Sequence, residues 1–281
     1  MTETRLFDRK AILRNRARAE QIGMVDFLHQ EALFEIQERL IDVNRRFTAP
    51  AIVTAFPRFW REAFPDARVI TDDEVLDLEP GAHDLVIHAM ALHVADDPVG
   101  QLVQCRHALK PDGLMLACLL GGQTLSELRA SLGQAEISLT EGLSPRVVPM
   151  AEIRDLGSVL QRSGLALPVA DTVKREVIYR TPLHLLHDLR AMGEGNPLIE
   201  RSKKFSPRDL FAEMARIYND AYAKDDGTVR ATFELIFLTG WMPDESQPQP
   251  LRPGSATTRL ADFLNTTELG TDAKPVNGDK D

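Results

Sequence analysis

The sequence predicts an α/β protein built on an open, doubly wound, mostly parallel sheet. Short continuous apolar runs recur between positions 51 and 120, which is typical of strands buried on both faces. Segments with helical periodicity alternate with these runs, and further helices follow before a last long strand. Together these patterns favour a sheet with helices on both sides.

The sequence pattern of residues 1–46 predicts an N-terminal helical cap. Apolar residues recur at helical spacing through "FLHQEALFEIQERLIDVN" (27–44), with charged residues between them. The preceding stretch, "RKAILRNRARAE", is basic and helix-prone, and it places Arg14 and Arg18 on one helix face.

The sheet region begins at Ala51. The predicted strands are "AIVTAF" (51–56), "ARVIT" (67–71), "DLVIHA" (84–89) and "LMLACLL" (114–120). A helix lies between the last two and ends in a turn at residues 110–113, which completes one βαβ unit.

The rest of the chain predicts helices, two more strands and a tail. Helices are expected at 124–136, 150–164, 182–193 and 206–223, and strands at 169–180 and 229–242. The predicted domains are therefore an α/β domain at 47–242, with a helical insertion at 182–223 before a last antiparallel strand, and an extended or disordered tail at 243–281.

The composition of the chain argues against several classes of function. The chain has 281 residues, 43% hydrophobic and 27% charged, with a formal net charge of −9. This acidity argues against a general nucleic-acid or anionic-membrane surface, and no apolar run has the length of a membrane-spanning segment. Cys105 and Cys118 are expected to be buried, reduced thiols. No metal site is predicted, since the histidine spacings match no ligand pattern.

Several blocks resemble one known family. The string "HDLVIHAMALHVADDPVGQLVQCRHALKPDGLMLACLLGGQTLSELRASLGQAE" is similar to class I S-adenosylmethionine-dependent methyltransferases. The blocks "LSPRVVPMAEIRDLGSVLQRSGLALPVAD", "LHDLRAMGEGN", "DDGTVRATFELIFLTGW" and "PLRPGSA" narrow the resemblance to one branch. The resemblance is to the branch of the complex I assembly factor that hydroxylates an arginine, and more distantly to the malonyl-carrier-protein methyltransferase of biotin synthesis. It implies a Rossmann-like fold and S-adenosylmethionine as cofactor. It also implies a protein substrate or partner, with a complex I subunit as one candidate.

Two departures concern the cofactor region that the resemblance implies. The family has a glycine-rich turn after its first strand, where the backbone approaches the cofactor. Here no glycine occurs between Phe47 and Gly81, and Phe56 and Pro57 stand at the turn. Only 11 residues, 73 to 83, separate the second strand from the next one, so a helix and an edge strand are expected to be missing.

The resemblance also implies site residues. Asp72 matches the acidic residue that binds the ribose hydroxyls, although an ordinary surface turn explains it about as well. Ala89, Met90 and His93 follow the next strand on the cofactor side, and a packing role for His93 is somewhat more common. A substrate cleft is expected at Gly121, Gly122, Arg190 and Asn196. No catalytic residue is assigned.

Two functions remain open from the sequence. One is a cofactor-dependent enzyme that modifies a protein side chain. The other is a catalytically inactive pseudo-methyltransferase that acts in assembly or as a scaffold, which the altered turn and the short connection favour. Because the family pattern begins near Phe7, with no room for a presequence, a bacterial cytoplasmic location is expected.

Overall fold

The computed structural model describes residues 5–140, 142–248 and Thr266. Residues up to Asp244 form one compact unit, and a second unit begins at Glu245. Most of the predicted tail at 243–281 lies outside the described residues. Among the described residues, no helix is both long enough and apolar enough to cross a bilayer.

Two helices precede the sheet, α1 (Arg9–Ile22) and α2 (Phe27–Val43). Asp8 caps α1, since its carboxylate accepts a hydrogen bond from the Ala11 amide at 3.1 Å. Asn44 ends α2 in the left-handed conformation. The predicted pair of N-terminal helices is therefore present.

The first part of the sheet consists of β1 (Pro50–Thr54), β2 (Arg68–Thr71), β3 (His83–Ala89) and β4 (Leu109–Leu120). Helix α3 (Pro57–Ala63) connects β1 to β2, and α4 (Pro98–Ala108) connects β3 to β4. These four strands are parallel, in the spatial order β2, β1, β3, β4. The predicted parallel sheet is confirmed.

The remaining elements are α5 (Ser126–Thr140), α6 (Ile153–Arg162), β5 (Ala166–Tyr179), α7 (Pro182–Ala191), α8 (Arg208–Tyr222) and β6 (Val229–Trp241). Strand β6 pairs antiparallel with β4 on one side and with β5 on the other. The last long strand therefore lies inside the main sheet, as predicted, with helices α7 and α8 inserted before it.

The shortened connection is also confirmed. The chain passes from β2 to β3 without another strand or helix, so β2 is the edge of the sheet. Losing an edge strand leaves the central pairings intact, because β1 still lies between β2 and β3. Asp72, which directly follows β2, therefore lies at the edge of the sheet where the further strand is missing.

The turn expected at 110–113 lies within β4 instead. His83 pairs with Leu109 and Leu85 with Leu114, so the residues between them bulge from the ladder. Asp112 has a φ of 56° in this bulge. The prediction of a turn that ends the preceding helix is therefore wrong here, because the helix ends at Ala108 and the strand continues through residues 110–113.

Candidate functional site at the carboxyl ends of the strands

Asp72 directly follows β2, and both of its carboxylate oxygens are bound by arginines of α1. Arg16 donates from Nη1 to Oδ1 at 2.6 Å and from Nη2 to Oδ2 at 3.0 Å. Arg9 donates to the same two oxygens at 3.1 and 3.3 Å. Only 7% of the Asp72 side chain is exposed. The predicted ribose-binding carboxylate therefore holds the N-terminal helix to the sheet.

The charge state of Asp72 follows from these contacts. Burial alone would raise the pKa of its carboxyl, but the Arg16 and Arg9 guanidiniums outweigh burial and hold the pKa below its ordinary value. Asp72 is thus ionised near neutral pH, and its negative charge is matched inside the protein.

The turn after β1 is filled by aromatic side chains. Phe56 and Trp60 are 3% and 0% exposed, and the Trp60 indole Nε1–H donates to His29 Nδ1 at 3.2 Å. A Cβ built on Gly193 would lie 3.1 Å from the Phe56 ring and 3.4 Å from the Arg16 Cα atom. The space between the end of β1, α1 and the end of α7 is therefore closed.

The carboxyl end of β3 is also buried. Ala89 and Met90 are 0% and 4% exposed, and Met90 has a left-handed φ of 54°. The Met90 amide donates to the Cys118 carbonyl at 2.8 Å, which joins the ends of β3 and β4. Neither side chain is presented to solvent.

His93 lies in a single 3₁₀ turn, Leu92–Val94, after β3. Its Nε2 is 3.2 Å from Glu194 Oε2, and its side chain is 3% exposed. Burial would raise the pKa of Glu194, but His93 and then Arg16 lower it below its ordinary value. His93 therefore connects the end of β3 to the segment after α7.

His29, which faces this region from α2, is neutral at physiological pH because burial lowers its pKa to about 4. The charged groups acting on it are Glu194, His93, Asp26 and Arg16. A depressed pKa means that the unfolded chain binds the proton first as the pH falls through 6.5, so folding stability is lost between pH 6.5 and pH 4.

This shift gives a pH prediction. Between pH 7 and pH 5, His29 should account for about 2 kcal/mol of lost unfolding free energy. The substitution His29→Gln, which keeps a side-chain acceptor for the Trp60 indole, should remove that component. Urea unfolding of both proteins at the two pH values measures it. Equal losses in the two proteins would show that His29 is not buried in its neutral form.

A separate cavity of about 370 Å³ opens at the carboxyl end of β4. Its lining includes Leu120 of β4, Leu128 of α5, Leu189 of α7 and Phe211 of α8. Arg190 and Asn196 also line it, so the structure brings these two predicted cleft residues together. Asn196 donates from Nδ2 to the Pro145 carbonyl at 2.8 Å, which fixes one wall.

Gly121 and Gly122 are not among the residues that line this cavity. A Cβ on Gly121 would lie 2.3 Å from Ile236 Cδ1, and one on Gly122 would lie 2.4 Å from Glu234 Oε2. The Gln123 amide donates to the same Glu234 carboxylate at 2.9 Å. The two glycines therefore allow close packing against β6.

Several important residues were not predicted. Arg9 and Arg16 are seven positions apart and so share a helix face, whereas the sequence directed attention to Arg14 and Arg18. The available signal was the pair of arginines on one face of α1 together with an acidic residue directly after β2. Among the described residues, no group of three or more His, Cys, Asp or Glu side chains is arranged to hold a metal ion.

Comparisons with known proteins find two groups of similar sequences. The chain is 36% identical over 208 residues to "Arginine-hydroxylase NDUFAF5, mitochondrial" of Danio rerio, covering 74% of this chain and 64% of that protein. The Homo sapiens protein of that name is 34% identical over 227 residues, covering 81% and 66%. The "Malonyl-[acyl-carrier protein] O-methyltransferase" of Methylovorus sp. (strain MP688) is 29% identical over 197 residues, covering 68% and 64%.

The chain thus spans about two thirds or less of the length of these relatives. No protein-family model matches it. Among solved structures, a putative methyltransferase from Bacillus halodurans C-125 aligns with 11% identity over 70% of this chain and 93% of its own, at a TM-score of 0.47.

The expected bacterial cytoplasmic location is wrong. The relatives at 34–36% identity are named as mitochondrial proteins of eukaryotes, including Danio rerio, Dictyostelium discoideum and Homo sapiens. The expectation rested on the short stretch before Phe7. Targeting segments are not part of the folded domain, so the place where the fold begins carries no information about the compartment.

The similarity to the Homo sapiens protein covers 81% of this chain, and the strand order with an antiparallel β6 agrees with the predicted fold. The predicted resemblance is therefore confirmed: the chain is a homologue of the arginine-hydroxylase NDUFAF5 proteins and a more distant homologue of the malonyl-carrier-protein O-methyltransferases.

Proposed function

We propose that this protein is a pseudo-methyltransferase that binds a protein partner, as an assembly or scaffold protein would, without using S-adenosylmethionine. The observation that carries the proposal is the engagement of Asp72 by Arg9 and Arg16. A ribose hydroxyl needs a free lone pair on the carboxylate as its acceptor, whereas each oxygen here already accepts two hydrogen bonds from guanidiniums.

The other residues at the family's cofactor position do not fit the cofactor either. The backbone after β1 lacks a glycine, and Pro57 has no N–H to donate. Phe56 and the α1 backbone lie close to Gly193, where a cofactor would need open space. Ala89, Met90 and His93 are buried by the protein's own side chains. These residues support a structural role for the region.

The partner is proposed to be a protein because of the family resemblance. Relatives in the branch are named for modifying arginine, and the resemblance is to a complex I assembly factor. A complex I subunit is therefore the partner class that this proposal favours. The cavity beside β4, with Arg190 and Asn196, is the proposed contact region.

An enzyme that modifies a protein side chain is the second candidate. Asp72 at the end of β2 favours it, since the resemblance matches that carboxylate to the family's ribose-binding residue. In that case α1 would have to move away from Asp72, and the cofactor's ribose hydroxyls would replace the guanidiniums of Arg9 and Arg16 as its hydrogen-bond donors.

Thermal unfolding separates the two candidates. Millimolar S-adenosylmethionine or S-adenosylhomocysteine should leave the unfolding midpoint of the full chain unchanged. A ligand at 100 times its dissociation constant adds about 2.7 kcal/mol, which raises the midpoint by several degrees in a protein of this size. A saturable rise of that kind, absent in Asp72→Ala, would establish the second candidate instead.

A further inference from the structure

The cavity beside β4 combines an apolar wall with a positive rim, although the whole chain has a net charge of −9. Four arginines and one glutamate are its charged lining residues: Arg18, Arg146, Arg190, Arg201 and Glu194. The glutamate is paired with His93. The local charge of the cleft is therefore opposite to that of the molecule.

The arginines differ in how they are engaged. Arg201 is paired with Asp8, and Arg146 donates to Glu136 at 2.7 Å and to Ser206 at 3.0 Å. Arg146 Nε is nevertheless buried with no hydrogen-bond partner among the described residues. Arg18 and Arg190 are exposed, and neither guanidinium has a hydrogen bond or ion pair within the described part of the chain.

We propose that this cleft binds a peptide segment of a partner protein in which a large apolar side chain is flanked by carboxylates. The proposal rests on the protein-binding function proposed above and names the chemistry of the bound segment. The apolar wall, formed by Leu120, Leu128, Leu189 and Phe211, accepts the large side chain. The arginine rim then receives the carboxylates as charge-assisted hydrogen-bond acceptors.

The same charges exclude an alternative. A guanidinium is the acceptor side chain that the relatives' name would suggest, but in this cleft it would meet the guanidiniums of Arg18 and Arg190, unpaired among the described residues, while Glu194 is already bound to His93. Like charges placed together disfavour binding. The cleft is selective for anionic segments.

Peptide selection tests this chemistry directly. The immobilised full-length chain is exposed to a random dodecapeptide phage library, and the bound pool is sequenced against a pool from an unrelated protein. The expected enrichment is for Asp or Glu next to Phe, Leu, Trp or Met. The leading peptide is then synthesised with a fluorophore, and its dissociation constant is measured by anisotropy.

Matched variants locate the binding. Arg18→Glu combined with Arg190→Glu should weaken the leading peptide by about tenfold or more, since both rim charges are reversed. Arg154→Glu combined with Arg162→Glu makes the same charge change at exposed positions of α6, outside the cleft lining, and should alter affinity less than about twofold. Replacing the apolar residue of the peptide by alanine should also weaken binding by about tenfold.

Each other result overturns the proposal. These results are no enrichment, enrichment of basic peptides, or equal weakening by the two variant pairs. Decanoate, a carboxylate with an apolar tail, is tested as a small-molecule ligand. If it binds while the library shows no peptide enrichment, the cleft is assigned to a small carboxylate and the proposal is overturned. Because no S-adenosylmethionine enters this assay, its failure is distinct from a failure of the cofactor-free function, which the thermal-shift experiment reports.

Discussion

Replacing Asp72 by asparagine is expected to lower the free energy of unfolding by about 3–5 kcal/mol, the usual cost of removing one partner from a buried ion pair. Asparagine keeps the volume but removes the charge, which leaves the Arg16 guanidinium, 12% exposed, without its counter-ion. Urea unfolding at pH 7 measures the loss. If Asp72 served only a cofactor, its replacement would leave stability in the absence of cofactor nearly unchanged.

Asp73→Asn is the matched control for this experiment. Asp73 is the next residue, and it also pairs with Arg9, but its side chain is 59% exposed. An exposed pair is worth about 0–1 kcal/mol, so the control should be close to the wild type. Similar losses for the two substitutions would show that the Asp72 pairs are not buried and would remove the argument for a fixed α1.

Replacing Trp60 by alanine is expected to destabilise the protein by about 3–5 kcal/mol. Trp60 is fully buried on α3, and its ring contacts His29, Phe59 and Phe64. Truncation leaves a cavity and also removes the hydrogen bond to His29. The effect tests whether the segment after β1 is part of the packed core.

Arg58→Ala on the same helix provides the control, because the Arg58 side chain is 92% exposed. Its effect should lie within about 0.5 kcal/mol of zero. Thermal or urea unfolding of both variants gives the comparison. A mild effect of Trp60→Ala, comparable to that of Arg58→Ala, would mean that α3 is loosely attached and that the space beneath it is open.

Much of the fold could be predicted from the sequence because buried parallel strands have a local signature. The runs that became β1, β3 and β4 are apolar on both faces, and the short connection before His83 leaves too little chain for another crossover. The bulge at 110–113 was missed, since turn residues look alike whether a strand stops or is only interrupted.

The site was harder to predict because its decisive contacts join distant parts of the chain. Arg9 and Arg16 meet Asp72 across 63 and 56 positions, and no local pattern reports such a pairing. Gly121 and Gly122 resembled a ligand turn, but the carboxylate that the adjacent Gln123 amide binds is that of Glu234 on β6. Residue types at the ends of strands indicate where a site lies, while tertiary packing decides what fills it.

Hydrogen exchange of α1, with and without millimolar S-adenosylhomocysteine, tests most directly whether this helix permanently occupies the cofactor position. Full-length protein is labelled at pH 7, and peptides covering 9–22, 51–60 and 89–94 are followed by mass spectrometry. The account predicts that protection in all three segments is the same with and without the ligand. Loss of protection at 9–22 together with a gain at 51–60 and 89–94 would show the cofactor replacing the Asp72 pairs and would contradict it.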